Sequence, residues 1–355
     1  MSQVLYNDQN KTMIHSNLHD EVRSARAFYS QKEERRYWII LTTLIILGVL
    51  ATLGLLLYNN PVPMGSPSFF PVAKRRMTAI GAMLIAATCQ SLATVAFQSS
   101  TNNRIITPSL LGFEAIYTTI HTSIMFFFGA RIFLEMSNSV ATFLLQVVLM
   151  VLMCLILYGW LLSGKYGNLQ LMLLIGVIIG TGLRSISSFM RRLLAPSEFD
   201  ILQARLFGSV NNADVRYFPI AIPIVIISAI LIVMYSQKLN VLSLGKSVSI
   251  SLGVNSQKGT MYTLILVSIL MSISTALVGP LTFYGFLVAT ITYQVARTYD
   301  HRYIFPMALA IGFLTITGAY FIMNHVFRAQ GVVSIIIEMF GGILFLVVLL
   351  KRGTL

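Results

Sequence analysis

The feature that most constrains this chain is the repetition of long apolar runs. Ten stretches, at approximately 38–58, 77–97, 111–130, 140–162, 169–188, 217–236, 260–279, 281–296, 303–323 and 334–350, are dominated by aliphatic and aromatic residues. A helix needs roughly 20 such residues to cross a bilayer core. Inside lipid every backbone donor and acceptor must be bonded within the protein, which permits helices or closed barrels, and runs without period-2 alternation select helices. The expected fold is therefore all-α, a polytopic membrane protein with about ten transmembrane helices. Composition agrees, since only 10% of the 355 residues are charged, against about 25% in soluble domains.

Topology follows from the flanking charges. The polar segment 1–37 ends in Lys32-Glu33-Glu34-Arg35-Arg36 before Trp38, and basic residues beside a first span favour the cytoplasmic side. Ten crossings return the C-terminus to that side, in keeping with Lys351-Arg352, so both termini are expected to be cytoplasmic. The first apolar run is too long for a cleavable signal peptide and lacks a small-residue cleavage site after it. Asn59-Asn60-Pro61-Val62-Pro63 closes the first span. Gly279-Pro280 interrupts one continuous apolar stretch where a polar loop would be expected, which reads as a broken helix.

The formal charge of +13 does not point to nucleic acid, because much of the Lys and Arg flanks apolar runs. Inward segments carry Arg104, Lys165, Lys238, Lys246, Lys258, Arg297 and Arg302, as the positive-inside bias requires. The outward segments are basic as well: Lys74, Arg75 and Arg76 open the second span, Arg191, Arg192, Arg205 and Arg216 lie between spans five and six, and Arg328 precedes the last. Two readings stand side by side, a docking surface for an acidic partner and snorkelling of long side chains to the interface. The outer connection 189–216 contains Pro196-Ser197-Glu198-Phe199-Asp200, a helix start with acidic residues in its first turn. A short helix lying on the outer surface is expected there.

The inward segment 237–258 holds Leu244-Gly245-Lys246-Ser247 and Leu252-Gly253. Gly-Lys-Ser invites a phosphate-loop reading, but that loop also needs a glycine five positions before its Gly, in a turn that follows a strand. Position 240 is Asn240, and the preceding segment is a membrane helix, so this chain is not expected to bind ATP. The segment instead predicts two short helical stretches punctuated by Gly245 and Gly253, small enough to enter a groove on a cytoplasmic partner.

Ionisable residues inside the spans are functional candidates. Glu114 either faces a cavity or sits in the first helical turn near the cytoplasmic surface, where the helix dipole favours a carboxylate. Arg184 lies in the outer third of span five, within snorkelling reach of the interface. His121 and His325 read as packed or interfacial. Cys89 and Cys154 lie in apolar runs without metal-type spacing, and no metal site is expected. No Ser/His or His/Asp/Glu pairing at helical spacing supports an intramembrane enzyme.

Taken in order, these elements resemble the permease subunits of bacterial iron–siderophore and cobalamin ATP-binding-cassette importers. Lys74-Arg75-Arg76-Met77-Thr78-Ala79 looks like the family's basic opening of span two, and Pro108-Ser109-Leu110-Leu111-Gly112 like its turn into span three. Leu206-Phe207-Gly208-Ser209 is similar to its glycine-serine element, and Leu239 through Asn255 to its cytoplasmic coupling segment. Gly279-Pro280 with Phe283 and Gly285, Asp300-His301-Arg302 and Gly341-Gly342 also match. The resemblance implies a tail at 1–37 and a permease domain at 38–355. It implies a second permease subunit, two cytoplasmic ATPase subunits that use ATP, and an extracytoplasmic siderophore-binding protein, with a ferric siderophore as substrate and no cofactor bound directly. By that carry-over Lys74, Arg75, Arg76 and Arg328 meet the binding protein. Leu244, Gly245, Lys246, Ser247, Leu252 and Gly253 seat in the ATPase, while Glu114, Gly279, Pro280 and Phe283 border the path. Ala289-Thr290 and Tyr293 depart from the common pattern and are similar to a branch with two different permeases, favouring a heterodimer. The expected location is the bacterial cytoplasmic (inner) membrane. The alternative is an ion-coupled secondary transporter, for which Glu114 and the break at Gly279-Pro280 are the hints.

Overall fold

Every one of the ten apolar runs folds as helix. A computed structural model describes residues 27–58, 69–163, 169–210, 213–326 and 333–352. Its elements are α1 (Gln31–Leu57), α2 (Phe69–Ser100), a 3-10 turn (Pro108–Leu111), α3 (Phe113–Ser137), α4 (Val140–Ser163), α5 (Leu169–Arg192) and α6 (Pro196–Leu206). A second 3-10 turn (Val215–Tyr217) leads into α7 (Phe218–Met234), α8 (Ser236–Leu242), α9 (Lys246–Ser251), α10 (Ser256–Val278), α11 (Tyr284–Ala296), α12 (His301–Phe321) and α13 (Val333–Arg352). No strand occurs among the described residues.

By length and composition five helices can cross a membrane, namely α1, α2, α7 with its preceding turn, α10 and α12 with the π turn that extends it, and the bent pair α3–α4 makes a sixth. The other runs fall outside that set. α5 carries three arginines, α11 is 13 residues long, and the apolar part of α13 is short.

The core is built on small residues. In the most apolar stretches of α2 and α10, 78% of residues are buried, against 17% for α1. α2 supplies Ala82, Ala86, Ala93, Ser91 and Thr94, all buried, and its neighbours approach closely because they present glycine. A Cβ at Gly285 would overlap the Thr94 hydroxyl, and one at Gly312 would overlap that of Ser91. Lipid gives helices no hydrophobic reason to associate, so close packing of small side chains is what holds such a pair. α1, exposed along most of its length, is joined to α12.

Two boundaries differ from the sequence expectation. The first helix starts at Gln31 instead of Trp38, capped by Ser30, whose side chain accepts from the Glu33 amide. Tyr37 donates to the Tyr303 carbonyl at 2.9 Å and Thr298 to that of Ala27 at 2.6 Å, so the residues just before Trp38 are packed against α12 and its entry. The third run is the larger correction. Gly112, in the left-handed region at φ 100°, packs against Gly180, the middle of α5, and α3 begins there. The chain thus climbs from the α2 end to half the height of the bundle before helix resumes, and irregular backbone at that depth is tolerated because protein surrounds it. Gly129 (φ 76°, ψ 175°) then kinks α3. The turn at 59–63, Lys165, Arg328 and the tail before residue 27 lie outside the described residues.

Candidate functional site

Three polar regions interrupt the apolar bundle. At one end, where α2 starts, Lys74 and Arg75 line a cleft of about 590 Å³ with Asn138, Arg205 and Asp214. The third member of the basic triplet does something else. Arg76 donates to the carbonyls of Leu55 (3.0 Å), Leu56 (2.9 Å) and Tyr58 (3.3 Å), closing the C-terminus of α1, whose last carbonyls have no partner inside the helix. Arg216 is tied to Asp214 at 2.6 Å, and the hydrogen bonds from its guanidinium hold the Asp214 carboxyl below the usual range. The cleft therefore presents Lys74 and Arg75 beside the Arg216–Asp214 pair and Arg205, whose guanidinium donates to the Ser137 carbonyl at 3.1 Å.

The second region lies at the break between α10 and α11, and it joins two motifs that are far apart in sequence. Gly279 (φ 90°) ends α10, its amide bonded to Thr275. The segment after α6 runs against it: Ser209 donates to the Val278 carbonyl at 2.7 Å, and a Cβ at Gly208 would overlap the Pro280 carbonyl oxygen. This close approach fixes Thr282, whose hydroxyl donates to Glu114 Oε2 at 2.8 Å while its backbone amide faces Glu338 of α13. Glu114, Pro280, Thr282 and Glu338 line a cleft of about 330 Å³ together with Arg184 and Arg191. Glu114 is in the first turn of α3, as expected, but it lies at mid-height of the bundle and not at a cytoplasmic surface. Phe283 turns away and packs on Phe345 and Gly341 of α13. Of the four path candidates, Glu114 and Pro280 share the cleft, Gly279 adjoins it at the helix break, and Phe283 packs into α13 instead.

The third region is the far end of the bundle. Gly245 (φ 94°) and Gly253 (φ 78°) bracket α9, as the glycine spacing implied. Leu244, Lys246, Ser247, Val248, Ile250, Leu252 and Gly253 are exposed, whereas Ser249 is buried and donates to the carbonyls of Val241 and Gly245. Leu244, Val248, Ile250 and Leu252 thus form an exposed apolar surface at this end of the bundle, beside Lys246 and Ser247. The Gly-Lys-Ser triplet opens a helix but follows another helix, so the phosphate-loop context is absent.

Behind this face runs a chain of hydrogen bonds whose direction is fixed by chemistry. Asp300 can only accept, so Asn240 Nδ2 donates to it at 3.1 Å and turns its Oδ1 toward His301, accepting from the backbone amide at 2.9 Å and from Nδ1 at 2.5 Å. Nε2 of His301 is then free to accept from Ser99 of α2 at 2.6 Å. Partial burial opposes ionisation of Asp300, but hydrogen bonds from Arg302 and Asn240 outweigh it and hold the carboxyl below its ordinary range. Arg104 stacks 4.5 Å from the centre of the Tyr293 ring. The segment 237–258 is thereby anchored to both α2 and α12.

Sequence reasoning did not single out Glu338, Thr282 or Asn240. Glu338 carried the same signal as Glu114, a carboxylate inside an apolar run. Thr282 and Asn240 carried none, because a lone Thr or Asn beside a span is ordinary. Among the described residues no group of His, Cys, Asp and Glu is arranged to hold a metal.

The model of the FecCD transport family matches residues 37–351. The petrobactin import system permease protein FatC of Bacillus anthracis is 68% identical over 350 residues, covering 99% of both chains. YclO of Bacillus subtilis, with the same description, is 36% identical over 79% of this chain and 88% of its own. The B. anthracis permease FatD, also of a petrobactin import system, is 24% identical over 92% and 94%. A solved structure described as an inward-facing conformation of a metal-chelate type ABC transporter superposes with a TM-score of 0.72, covering 88% of this chain and 99% of that one at 19% identity. At that identity it speaks for the fold alone.

Proposed function

Since the chain belongs to the FecCD transport family, we propose that it is the permease subunit of an ATP-driven importer that carries a ferric siderophore of the petrobactin class into the cytoplasm. The single observation that carries this reading is the end-to-end identity of 68% with a petrobactin permease. The ion-coupled transporter loses its support, because the relatives are import-system permeases and the break at Gly279-Pro280 is accounted for by packing on Gly208.

The parts then have assigned roles. The chain crosses the bacterial inner membrane about ten times with both termini cytoplasmic. Lys74 and Arg75 receive acidic groups of an extracytoplasmic binding protein, a role that Arg328 shares. The exposed face of α9 and its glycines seats in a separate ATPase, which hydrolyses ATP; this subunit performs no chemistry and holds no cofactor. FatC and FatD carry the same system description yet differ in their likeness to this chain, 68% against 24% identity, which supports a heterodimer with a FatD-like partner.

The reading is tested by co-expressing the chain with its partner permease, ATPase and binding protein and following radiolabelled iron supplied as ferric petrobactin. Uptake should persist when ion gradients are collapsed and cease when the ATPase is inactivated. Uptake that follows the proton or sodium gradient would overturn it.

A further inference from the structure

α5 is the most amphipathic of the long helices. Thr181, Arg184, Ser185, Ser188 and Arg191 fall at spacings of three and four, forming one polar stripe that is exposed or half-exposed. A membrane-length helix does not present such a stripe to hydrocarbon; it faces a polar partner or a water-filled cavity. The hydroxyls of Thr181 and Ser185 are already satisfied, donating to Val177 at 2.8 Å and Thr181 at 2.9 Å. What remains to be matched is most of the donor set of two guanidiniums, since Arg191 spends only its Nε, on the Ser187 carbonyl at 3.4 Å.

Arg184 and Arg191 are separated by seven residues, roughly two turns and about 10 Å along one face. Both open into the cleft of about 330 Å³ at the α10–α11 break. Their placement is rigid, because the Gly112–Gly180 contact and the Thr119–Ser187 hydrogen bond at 2.8 Å clamp α5 to α3. Glu114 is within electrostatic reach of Arg184, but no carboxylate of the cleft is in ion-pair contact with either arginine. Among the described residues the ion pairs are Arg131–Glu135, Arg216–Asp214 and Arg302–Asp300, while Glu114 and Glu338 face Thr282.

We infer that Arg184 and Arg191 form an anion-binding step in the translocation path, a subsite for the carboxylate or phenolate oxygens of a negatively charged metal chelate. Guanidiniums suit this task because each offers a planar fork of donors to paired oxygens. Two nearby carboxylates keep the site from binding too tightly, and a conduit must release what it admits. The inference rests on the importer reading for the identity of the anion, and on the stripe alone for its charge.

Ser188 lies between the two arginines, and the native thiols Cys89 and Cys154 are buried, so a single added thiol reports on the stripe. In the assembled importer, Ser188→Cys should react at least about tenfold faster with an anionic methanethiosulfonate than with a cationic one, as focused potentials produce. The preference should vanish when Arg184→Gln and Arg191→Gln are added. No labelling, or labelling without charge preference, would overturn the inference, including the case in which an acidic residue of the second permease fills the stripe. In the second arm the double glutamine variant should take up ferric petrobactin about tenfold more slowly, with Arg184→Lys and Arg191→Lys restoring most of the rate; a wild-type rate in the glutamine variant also overturns it. If the unaltered importer shows no ATP-driven uptake, the importer reading fails, and the charge preference of labelling still decides the stripe.

Discussion

The break at Gly279 and the segment around α9 are both marked by pairs of glycines, yet the glycines do different work. At the break, Gly208 and Gly279 let two backbones meet: a Cβ at Gly279 would come within 2.9 Å of the Gly208 Cα. Around α9 nothing lies within 4 Å of a Cβ at Gly253, and glycine is there for its φ of 78°. The first pair permits contact, with Gly279 also turning the chain at φ 90°, and builds a fixed wall beside the cleft. The other permits a turn and displays a small helix at the end of the bundle. The same residue type therefore marks a rigid site in one region and a projecting surface in the other.

The strongest way to break this contrast is Gly208→Ala. The added methyl meets the Pro280 carbonyl, which is backbone and has nowhere to move, so a loss of about 3 kcal/mol is expected, the upper part of the overpacking range. Thermal unfolding of the detergent-purified importer should show it, and an unchanged midpoint would remove the claim of backbone contact. Next is the double variant Ile250→Asp with Leu252→Asp. Both side chains are more than half exposed, so the permease should keep its thermal stability while ATPase co-purification falls about tenfold, equivalent to about 1.4 kcal/mol of lost association.

Gly253→Ala should cost about 1 kcal/mol, since only the left-handed conformation opposes it. A loss as large as that of Gly208→Ala would show that the two regions do not differ. The smallest effect concerns the anchor beneath α9. Asp300 has a folded pKa below its unfolded value, so its contribution is present above about pH 3.9 and is lost as pH falls through the folded value. The stability gap between wild type and Asp300→Asn should therefore stay level from neutral pH to about pH 5 and close below about pH 4. A gap that widens on acidification would contradict the sign.

Much of this could be read from the chain alone. Helix is specified by length and polarity, which are local, and all ten runs fold as helix, of which five, or six with the bent pair, are long and apolar enough to cross a membrane. The glycines of the 237–258 segment predicted two short helices because φ > 0 is also a local demand. The basic triplet shows where such reading stops. Lys74, Arg75 and Arg76 are equivalent as sequence, but Arg76 is drawn to the carbonyls of Leu55, Leu56 and Tyr58, which only the packing of α1 beside α2 brings within reach. Glu114 was visible as a buried charge, while its height in the bundle was not, since that depends on where Gly112 meets Gly180.

The sequence by itself thus determined that the chain lives in lipid, that it is helical, and that its polar segments must find partners or water, because the cost of exposing backbone and charge to hydrocarbon is paid residue by residue. The tertiary structure alone decided which charges share a cleft. Arg184, Arg191, Glu114 and Glu338 come from three helices, and their meeting around Thr282 is set by the close approach of Gly208 to Pro280 and of Gly112 to Gly180. Contacts between residues distant in sequence depend on the sum of all packing, and no local pattern encodes that sum.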